Sequence, residues 1–363
     1  MRNPPFRAVF DSLPSYQPAR VARSRTGDVH SLAANESPDA PLADIVAAVT
    51  AAADTMNRYP DFGAADLVAR LSRMHGVFED QVALGAGSVA LVQMLFQAVA
   101  DPGAEVLYAW RSFELYPVLA DLAGLRSVRV PLVADCHDLP AMADRVTEHT
   151  RLVLVCNPNN PTGTLLDGEE LRAFVDRVPE HCLIVVDEAY HEYVRRPAAR
   201  SAISLVGERP NLVVLRTFSK AYGLAGLRVG YLIGAPHVVT QLRKACLPYS
   251  LSTVAQAAAS SALENRERLM ARTDRTAAER TRVRRTLTAA GWQVAPSETN
   301  FLWLRTGESS AALGEWCAEH GVAVRVFPGE GVRVSLGSPL DNDAFLASVA
   351  AWRAAGGTSV ADG

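Results

Sequence analysis

The chain has 363 residues, 49% of them apolar and 21% charged, and its formal net charge is -3 at pH 7. This length allows one large hydrophobic core and leaves enough residues for a second, smaller domain. Because both signs of charge are spread along the chain without a basic block, we expect neither a nucleic-acid nor a membrane partner. The apolar runs are shorter than the roughly 18 residues that span a bilayer, and the first residues lack the apolar core of a signal peptide. We therefore expect a cytoplasmic protein that acts on small molecules.

The cysteines and histidines give no indication of a metal site. Five cysteines, at positions 136, 156, 182, 246 and 317, lie far apart, and none has a spacing to a histidine that is typical of metal ligands. We interpret them as reduced thiols and expect no bound metal. His191 is the only histidine near the motifs described below, and its position favours an ordinary loop residue.

From about residue 64 to residue 234, short apolar runs alternate with segments of helical periodicity. This alternation is typical of a parallel sheet covered by helices on both faces. The predicted strands are Glu105 to Tyr108, Arg151 to Cys156, Cys182 to Val186, Asn211 to Leu215 and Leu227 to Ile233. Ligands of such sheets bind at the carboxyl ends of the strands, so we expect the functional site there.

A second unit is predicted after the sheet. Residues 254–290 are rich in alanine and arginine and favour one or two long connecting helices. Strands are predicted at 301–304, 322–326 and 331–336, and helices at about 309–320 and near the end of the chain. The expected fold class is α/β, with an N-terminal arm (1–30), a large domain with a mostly parallel sheet (31–248), a small α+β domain (249–355) and a disordered tail (356–363).

One lysine lies in the segment RTFSKAYGLAGLRVG (216–230), directly after a predicted strand. A lysine among small and hydroxyl-bearing residues can lose its charge through desolvation and act as an amine nucleophile towards an aldehyde. We assign this role to Lys220, with Thr217 and Ser219 as hydroxyl donors and Arg228 as a guanidinium for a phosphate oxygen. An isolated lysine in a glycine-rich loop is most often a surface residue, so this interpretation depends on the motifs around it.

A DEAY segment (187–190) ends another buried strand. An ionised carboxylate at that position is costly unless a cation meets it. A protonated pyridine nitrogen is such a cation, and an acid that holds it keeps the ring an electron sink for a carbanion at a substrate α-carbon. We assign this role to Asp187 and expect Tyr190 to hydrogen-bond the phenolic oxygen of the same ring. By itself the segment would equally suit a Mg²⁺ carboxylate pair, but no Walker-type phosphate loop accompanies it.

A third buried strand is followed by CNPNNPTG (156–163), which contains two Asn-Pro steps and a Thr-Gly step. These steps force an irregular turn whose amide side chains point at the strand ends. We expect Asn160 to donate a hydrogen bond to the phenolic oxygen of the cofactor ring. An ordinary turn would explain the motif if it stood alone.

A glycine-rich turn, GAGSVA (85–90), links a short strand to an apolar helix. Small residues at a helix start leave N–H groups and the positive end of the helix dipole facing outward, which suits a phosphate. Gly87 and Ser88 are the candidates at this turn. In the WRSF segment (110–113), Phe113 is a candidate to stack on the pyridine ring, although a core position explains an isolated aromatic residue equally well.

The motifs occur in a diagnostic order: LAANES (32–37), NRYPD (57–61), GAGS, NPNNPTG, DEAY, RTFSKAYGLAGLR and GVRVS (331–335). Together they resemble the fold-type I aminotransferases that depend on pyridoxal 5′-phosphate (PLP), and more narrowly the histidinol-phosphate aminotransferase group, from about Phe6 to the closing helix. The resemblance implies a homodimer with active sites at the subunit interface, PLP held as a Schiff base on Lys220, and Arg333 binding the substrate α-carboxylate. It also implies that Tyr59 reaches the PLP phosphate of the partner subunit.

Within that group the chain most resembles the actinobacterial aromatic amino acid (phenylalanine) aminotransferases. Histidinol-phosphate enzymes typically carry an acidic pair where this chain has Val89-Ala90, and Thr-Tyr or Ser-Tyr where it has Ser112-Phe113. Both departures match the aromatic branch. Tyr16 and Arg325, however, align with residues that hold the substrate phosphate in the histidinol-phosphate enzymes, so that activity stays open.

The resemblance implies ping-pong transamination of phenylalanine, tyrosine or tryptophan with 2-oxoglutarate, in which the amine of Lys220 moves a proton between the substrate α-carbon and the cofactor. Histidinol phosphate is the alternative substrate. Decarboxylation or β-elimination is a second alternative, because threonine-phosphate decarboxylases share the fold and many of the motifs. A non-catalytic regulator is disfavoured, since the candidate PLP residues are present and no DNA-binding segment is fused to them.

Overall fold

Helices and strands alternate along most of the chain in the computed structural model, which describes residues 6–14, 29–196 and 199–358. The α-helices are α1 (Val9–Ser12), α2 (Ala43–Ala53), α3 (Ala65–His75), α4 (Ser88–Val99), α5 (Leu115–Ala123), α6 (Leu139–Asp144), α7 (Gly168–Arg177), α8 (Pro236–Lys244), α9 (Thr253–Glu264), α10 (Arg266–Ala289), α11 (Ser310–Glu319) and α12 (Pro339–Ala354). The strands are β1 (His30–Ser31), β2 (Val82–Gly85), β3 (Glu105–Trp110), β4 (Arg126–Pro131), β5 (Thr150–Cys156), β6 (Leu183–Asp187), β7 (Leu212–Thr217), β8 (Gly230–Gly234), β9 (Phe301–Arg305), β10 (Val322–Ala323), β11 (Arg325–Phe327) and β12 (Gly331–Ser335).

Seven strands form the central sheet in the order β2–β8–β7–β6–β5–β3–β4. Neighbouring strands are parallel except at β8, which is antiparallel to both β2 and β7. Successive residues of the middle strands belong to two separate hydrophobic clusters: Val153 and Val155 pack in one, Leu152 and Leu154 in the other. A sheet buried on both faces requires this continuously apolar sequence. The predicted α/β class with a mostly parallel sheet is confirmed.

Two predicted strands differ in their extent. The strand expected from Leu227 begins only at Gly230, because residues 225–227 form a 3₁₀ turn and Arg228 has a φ of +55°, which no strand residue adopts. The strand expected at 322–326 is divided in two. β10 pairs in parallel with β1, whereas β11 pairs antiparallel with β12, so the chain changes sheets at Val324.

A three-stranded antiparallel sheet, β11–β12–β9, has a hydrophobic cluster of its own. The long helix α10 contributes to both units, since Leu269 packs in the core of the large sheet and Leu287 in that of the small one. Helix α9 buries alanines against the large domain, including Ala255 and Ala259. The domain boundary expected at residue 248 stays a prediction.

Within the described part of the chain, no helix is both long enough and apolar enough to cross a membrane. The same residues contain no group of three or more histidine, cysteine, aspartate or glutamate side chains that could hold a metal ion. Of the expected tail, residues 356–358 are described, and they are not isolated from the fold: the indole N–H of Trp352 donates to the carbonyl oxygen of Thr358 at 3.1 Å.

Candidate active site

The carboxyl ends of three adjacent central strands open into a cavity of about 350 Å³. The last residues of β5, β6 and β7, which are Cys156, Asp187 and Thr217, all lie in its wall. Arg325 and Arg333 complete the wall from the small sheet. The sequence-predicted residues that the structure brings together here are Ser88, Phe113, Asn160, Asp187, Tyr190, Thr217, Ser219, Lys220, Arg228, Arg325 and Arg333.

Lys220 lies three residues beyond the end of β7, in the cavity wall. Its Nζ donates a hydrogen bond to the carbonyl oxygen of Ala34 at 3.1 Å. The pKa of Lys220 is lowered to about 7, first by burial and then by the positive charge of Arg333, against the opposing effect of Glu36. A large fraction of this amine is therefore neutral near pH 7, as a nucleophile or a proton acceptor must be.

Asp187 is buried at the end of β6, with its carboxylate held from two sides. The hydroxyl of Tyr116 donates to Oδ2 at 2.8 Å, and the backbone N–H of Ala189 donates to Oδ1 at 3.2 Å. Burial raises the pKa of Asp187, while the hydrogen bond from Tyr116 lowers it. A cation that entered the cavity beside this carboxylate would relieve the penalty that burial places on its charge.

A set of donors surrounds the start of α4. Gly87 precedes the helix with a φ of +82°, and a Cβ added there would clash with the guanidinium of Arg228. Arg228 also donates to Oγ of Ser219 at 3.1 Å, and the N–H of Ser219 donates to Oγ1 of Thr217 at 3.1 Å. The arginine thus lies against a helix N-terminus that begins at Ser88, an arrangement that favours an anion.

Tyr190 and Asn160 are each fixed by a residue from a distant part of the chain. Nδ2 of Asn35 donates to the hydroxyl of Tyr190 at 3.0 Å, and Oδ1 of Asn35 accepts from Ser335 at 2.9 Å. Burial raises the pKa of Tyr190 to about 12, so its hydroxyl stays protonated at neutral pH. Arg333 donates through Nη1 to Oδ1 of Asn160 at 2.6 Å, which leaves the Nδ2 group of Asn160 as its donor to a ligand.

A buried ion cluster supports the strand ends from the opposite face of the sheet. Arg216, the neighbour of Thr217, donates to Glu188 and to Glu192, each at 2.8 Å. Because successive strand residues point to opposite faces, the charges at 188 and 216 lie behind the sheet while Asp187 and Thr217 face the cavity. The cluster therefore supports the pairing of β6 with β7 at the strand ends that face the cavity.

The wall beside Phe113 contains an ion pair. The ring of Phe113 meets Tyr116 edge-on, with centroids 5.4 Å apart. The next residue, Glu114, accepts two hydrogen bonds from Nη2 of Arg325, at 2.8 and 2.7 Å. Arg325, a candidate from its alignment with phosphate-binding residues, lies in the cavity wall but is bound there to a carboxylate, so its role stays a prediction. Tyr16, the other residue of that prediction, lies outside the described residues.

Two predicted residues do not line the cavity. Tyr59 is 81% exposed and stacks on Tyr249, with ring centroids 4.5 Å apart. Its expected role at the site of a partner subunit stays a prediction. Gly87 directly precedes the wall residue Ser88, and a Cβ added to it would meet Arg228.

Sequence reasoning assigned no role to three polar residues that shape the site: Asn35, Glu114 and Tyr116. Asn35 lies within the LAANES motif, and Glu114 and Tyr116 follow within three residues of the WRSF segment. Asn35 could have been selected as the amide of the first motif. The partners of Glu114 and Tyr116 are determined by tertiary packing, and the sequence contains no signal for them.

Comparison with known proteins is consistent with this geometry. The chain matches the family described as aminotransferase class I and II over residues 27–349. An aromatic amino acid aminotransferase of Thermobifida fusca (strain YX) is 53% identical over 346 residues, which cover 95% of this chain and 96% of the relative. Another of that name, from Mycobacteroides abscessus, is 50% identical and covers 96% of this chain and 99% of the relative.

Among solved structures, histidinol-phosphate aminotransferase from Sinorhizobium meliloti in complex with pyridoxal-5′-phosphate has a TM-score of 0.84 and is 29% identical, covering 94% of this chain and 95% of that one. The expected fold-type I architecture is thus confirmed over nearly the whole chain. A family match of this length, with relatives that agree along both domains, identifies the family: the chain belongs to the class I and II aminotransferases.

Proposed function

We propose that this chain is a PLP-dependent transaminase of aromatic L-amino acids, with 2-oxoglutarate as the amino-group acceptor. The observation that carries the proposal is the placement of Lys220, with its pKa lowered to about 7, in one cavity with the buried carboxylate of Asp187. The substrate class is supported by relatives of 50 and 53% identity that are named aromatic amino acid aminotransferases.

The residues of the cavity fit PLP group by group. The amine of Lys220 suits the aldehyde, and the start of α4 together with Arg228 suits the phosphate. Asp187, whose pKa burial raises, would be stabilised by a protonated pyridine nitrogen. Asn160 and Tyr190 are the donors for the phenolic oxygen, and Phe113 is the aromatic residue for the ring face.

PLP, when bound, supplies an electron sink that stabilises negative charge at the substrate α-carbon. The side chains of the protein supply proton transfer and charge stabilisation. Lys220 would accept the proton of the substrate α-carbon at its Nζ and later release it, a role that needs a pKa near the working pH. Asp187 would hold a protonated pyridine nitrogen, and Tyr116 favours the ionised form of Asp187 by donating to it.

Arg333 is the proposed anchor of the substrate α-carboxylate. Its guanidinium is buried and already oriented by two oxygen acceptors, Oδ1 of Asn160 at 2.6 Å and the carbonyl of Ala33 at 2.7 Å. A preorganised arginine fixes a carboxylate in a single orientation at low entropic cost. Arg333 and Lys220 line the same cavity, so a carboxylate bound by the arginine would lie in the cavity that contains the amine.

We further propose a homodimer in which Tyr59 completes the site of the partner subunit. Tyr59 is exposed and stacked on Tyr249. Other exposed apolar side chains near it in sequence are those of Met56 and Phe62. Apolar surface of this kind favours a protein interface.

Histidinol-phosphate transamination is the second candidate, and it has one observation in its favour: Arg325 lies in the cavity wall. A single-turnover assay separates the two. Holoenzyme is mixed with phenylalanine, tyrosine, tryptophan or histidinol phosphate, and conversion of the cofactor to its amine form is followed by absorbance. Fastest conversion by an aromatic acid supports the proposal, whereas fastest conversion by histidinol phosphate replaces it.

The same protein tests the cofactor linkage, because the chain has two lysines, Lys220 and Lys244. Borohydride reduction of the holoenzyme should fix PLP on the peptide that contains Lys220. Lys244, which is exposed on α8, is the matched control: Lys244→Ala should retain the label and activity, and Lys220→Ala should lose both. Product analysis separates the alternatives, because decarboxylation would release CO₂ and an amine, and elimination would release ammonia, whereas transamination gives the 2-oxo acid of the substrate.

A further inference from the structure

Two arginines lie side by side in the cavity wall. Arg325 on β11 and Arg333 on β12 are direct partners in the antiparallel ladder, so their side chains leave the same face of the sheet. The Cβ atoms of such partners are about 5 Å apart. Two adjacent guanidinium groups would form a site for two anionic groups of one substrate, for example a dicarboxylate or a phosphorylated amine.

Glu114 changes the charge of this pair. Both of its carboxylate oxygens accept from Nη2 of Arg325, at 2.8 and 2.7 Å, and the pair is largely shielded from solvent. Glu114 lies in the cavity wall itself, directly beside Phe113. The positive charge of Arg325 is therefore matched, within the site, by the negative charge of Glu114.

The position of Glu114 is fixed by its surroundings. It is the N-cap residue of α5, where the helix dipole favours a carboxylate. Two residues later, Tyr116 is fully buried and its hydroxyl is bonded to Asp187. The start of α5 therefore cannot move away from β11 unless the hydrogen bond between Tyr116 and Asp187 is broken.

We propose that Glu114 is a specificity-determining residue, which neutralises Arg325 and so selects substrates with an uncharged side chain over those with a phosphate. A phosphate, with its charge of nearly two, must either displace Glu114 from Arg325 or bind next to a like charge. An aromatic side chain meets neither obstacle. This inference rests on the proposed aromatic specificity and gives it a physical basis.

The test compares kcat/KM of holoenzyme for phenylalanine and histidinol phosphate in the wild type and in Glu114→Gln, which keeps the shape and removes the charge. We expect kcat/KM for histidinol phosphate to rise about tenfold, through a lower KM, because like-charge repulsion is removed. The value for phenylalanine should stay within about twofold. A further Arg325→Gln change in the same protein should abolish the gain.

The control is Glu330→Gln. Glu330 forms an ion pair with Arg111, which joins the segment after β3 to the small sheet as the Glu114–Arg325 pair does. Among the described residues that line the cavity, neither Glu330 nor Arg111 is present. This variant should leave the ratio of kcat/KM for the two substrates unchanged. An unchanged ratio in Glu114→Gln, or an equal loss for both substrates, would overturn the inference.

Two further results keep the inference separate from the proposed function. If Glu114→Gln does not retain PLP, Arg325→Gln alone decides: it should lower kcat/KM for histidinol phosphate and not for phenylalanine, and equal effects would contradict the proposal. If the wild type does not turn over aromatic acids at all, the proposed function fails. In that case the response of histidinol phosphate to Glu114→Gln still reports on the ion pair.

Discussion

The hydroxyl of Tyr116 lies 2.8 Å from Oδ2 of Asp187 and donates a hydrogen bond to it. Helix α5 thus supports the carboxylate at the end of β6, although the two residues are 71 positions apart. The bond favours the ionised carboxylate and lowers a pKa that burial raises. Tyr116 acts on the proposed cofactor through Asp187 and is therefore a positioning residue.

Tyr116→Phe should lower kcat by about tenfold, because a hydrogen bond to a charged group contributes about 1.5–3 kcal/mol. Loss of the bond raises the pKa of Asp187, so the acidic limb of the kcat–pH profile should move to higher pH. Tyr108→Phe is the control. Its ring packs against Tyr116, but its hydroxyl donates to Ser127 instead, and it should leave the profile unchanged. An unshifted profile in Tyr116→Phe would show that the tyrosine is only a packing residue.

Gly87→Ala should weaken PLP binding by about tenfold or more, measured by titration of the apoprotein. An alanine there has an unfavourable φ of +82°, and its Cβ would displace the guanidinium of Arg228. The strain and the contact can be separated. Gly103→Ala has nearly the same φ, +81°, with no atom within 4 Å of the added Cβ. It should lower stability while PLP affinity is retained, and equal PLP affinities in the two variants would exclude a role for the contact.

Much of this site could be predicted from the sequence because parallel strands bring their carboxyl ends together. Asp187, Asn160 and Lys220 each follow an apolar run, and any sheet made from these runs places them at one edge. The chemistry of the side chains then limits what they can bind. Local sequence was therefore enough to predict that these three residues lie near one another at the sheet edge.

The contacts across the site could not be predicted in the same way. Glu114 and Arg325 are 211 positions apart, and Asn35 and Tyr190 are 155 positions apart. Their pairing depends on how the small sheet packs against the large one, which no local pattern encodes. The start of β8 was misplaced for a related reason: an apolar segment resembles a strand, and the left-handed backbone of Arg228 leaves no compositional signal.

The rate at which apoprotein forms its covalent bond to PLP should depend on the protonation of Lys220. With a pKa of about 7, the neutral amine is the minor form below that pH. The rate should therefore fall about tenfold for each pH unit below 7 and level off above it. The pKa of an ordinary lysine would instead place the plateau above pH 10. A free amine of ordinary pKa, measured with PLP under the same conditions, corrects for titration of the cofactor itself.

Mixed dimers test whether Tyr59 serves the neighbouring subunit. Lys220→Ala should be inactive, and Tyr59→Ala should be at least about tenfold less active because a phosphate ligand is lost. After dissociation and reassociation of an equal mixture, half of the dimers are mixed, and each mixed dimer has one site with both Lys220 and Tyr59 intact. Activity should recover to about a quarter of the wild-type value by the symmetry of the dimer. If both residues served a site within one chain, each mixed dimer would have no intact site, and mixing would restore nothing.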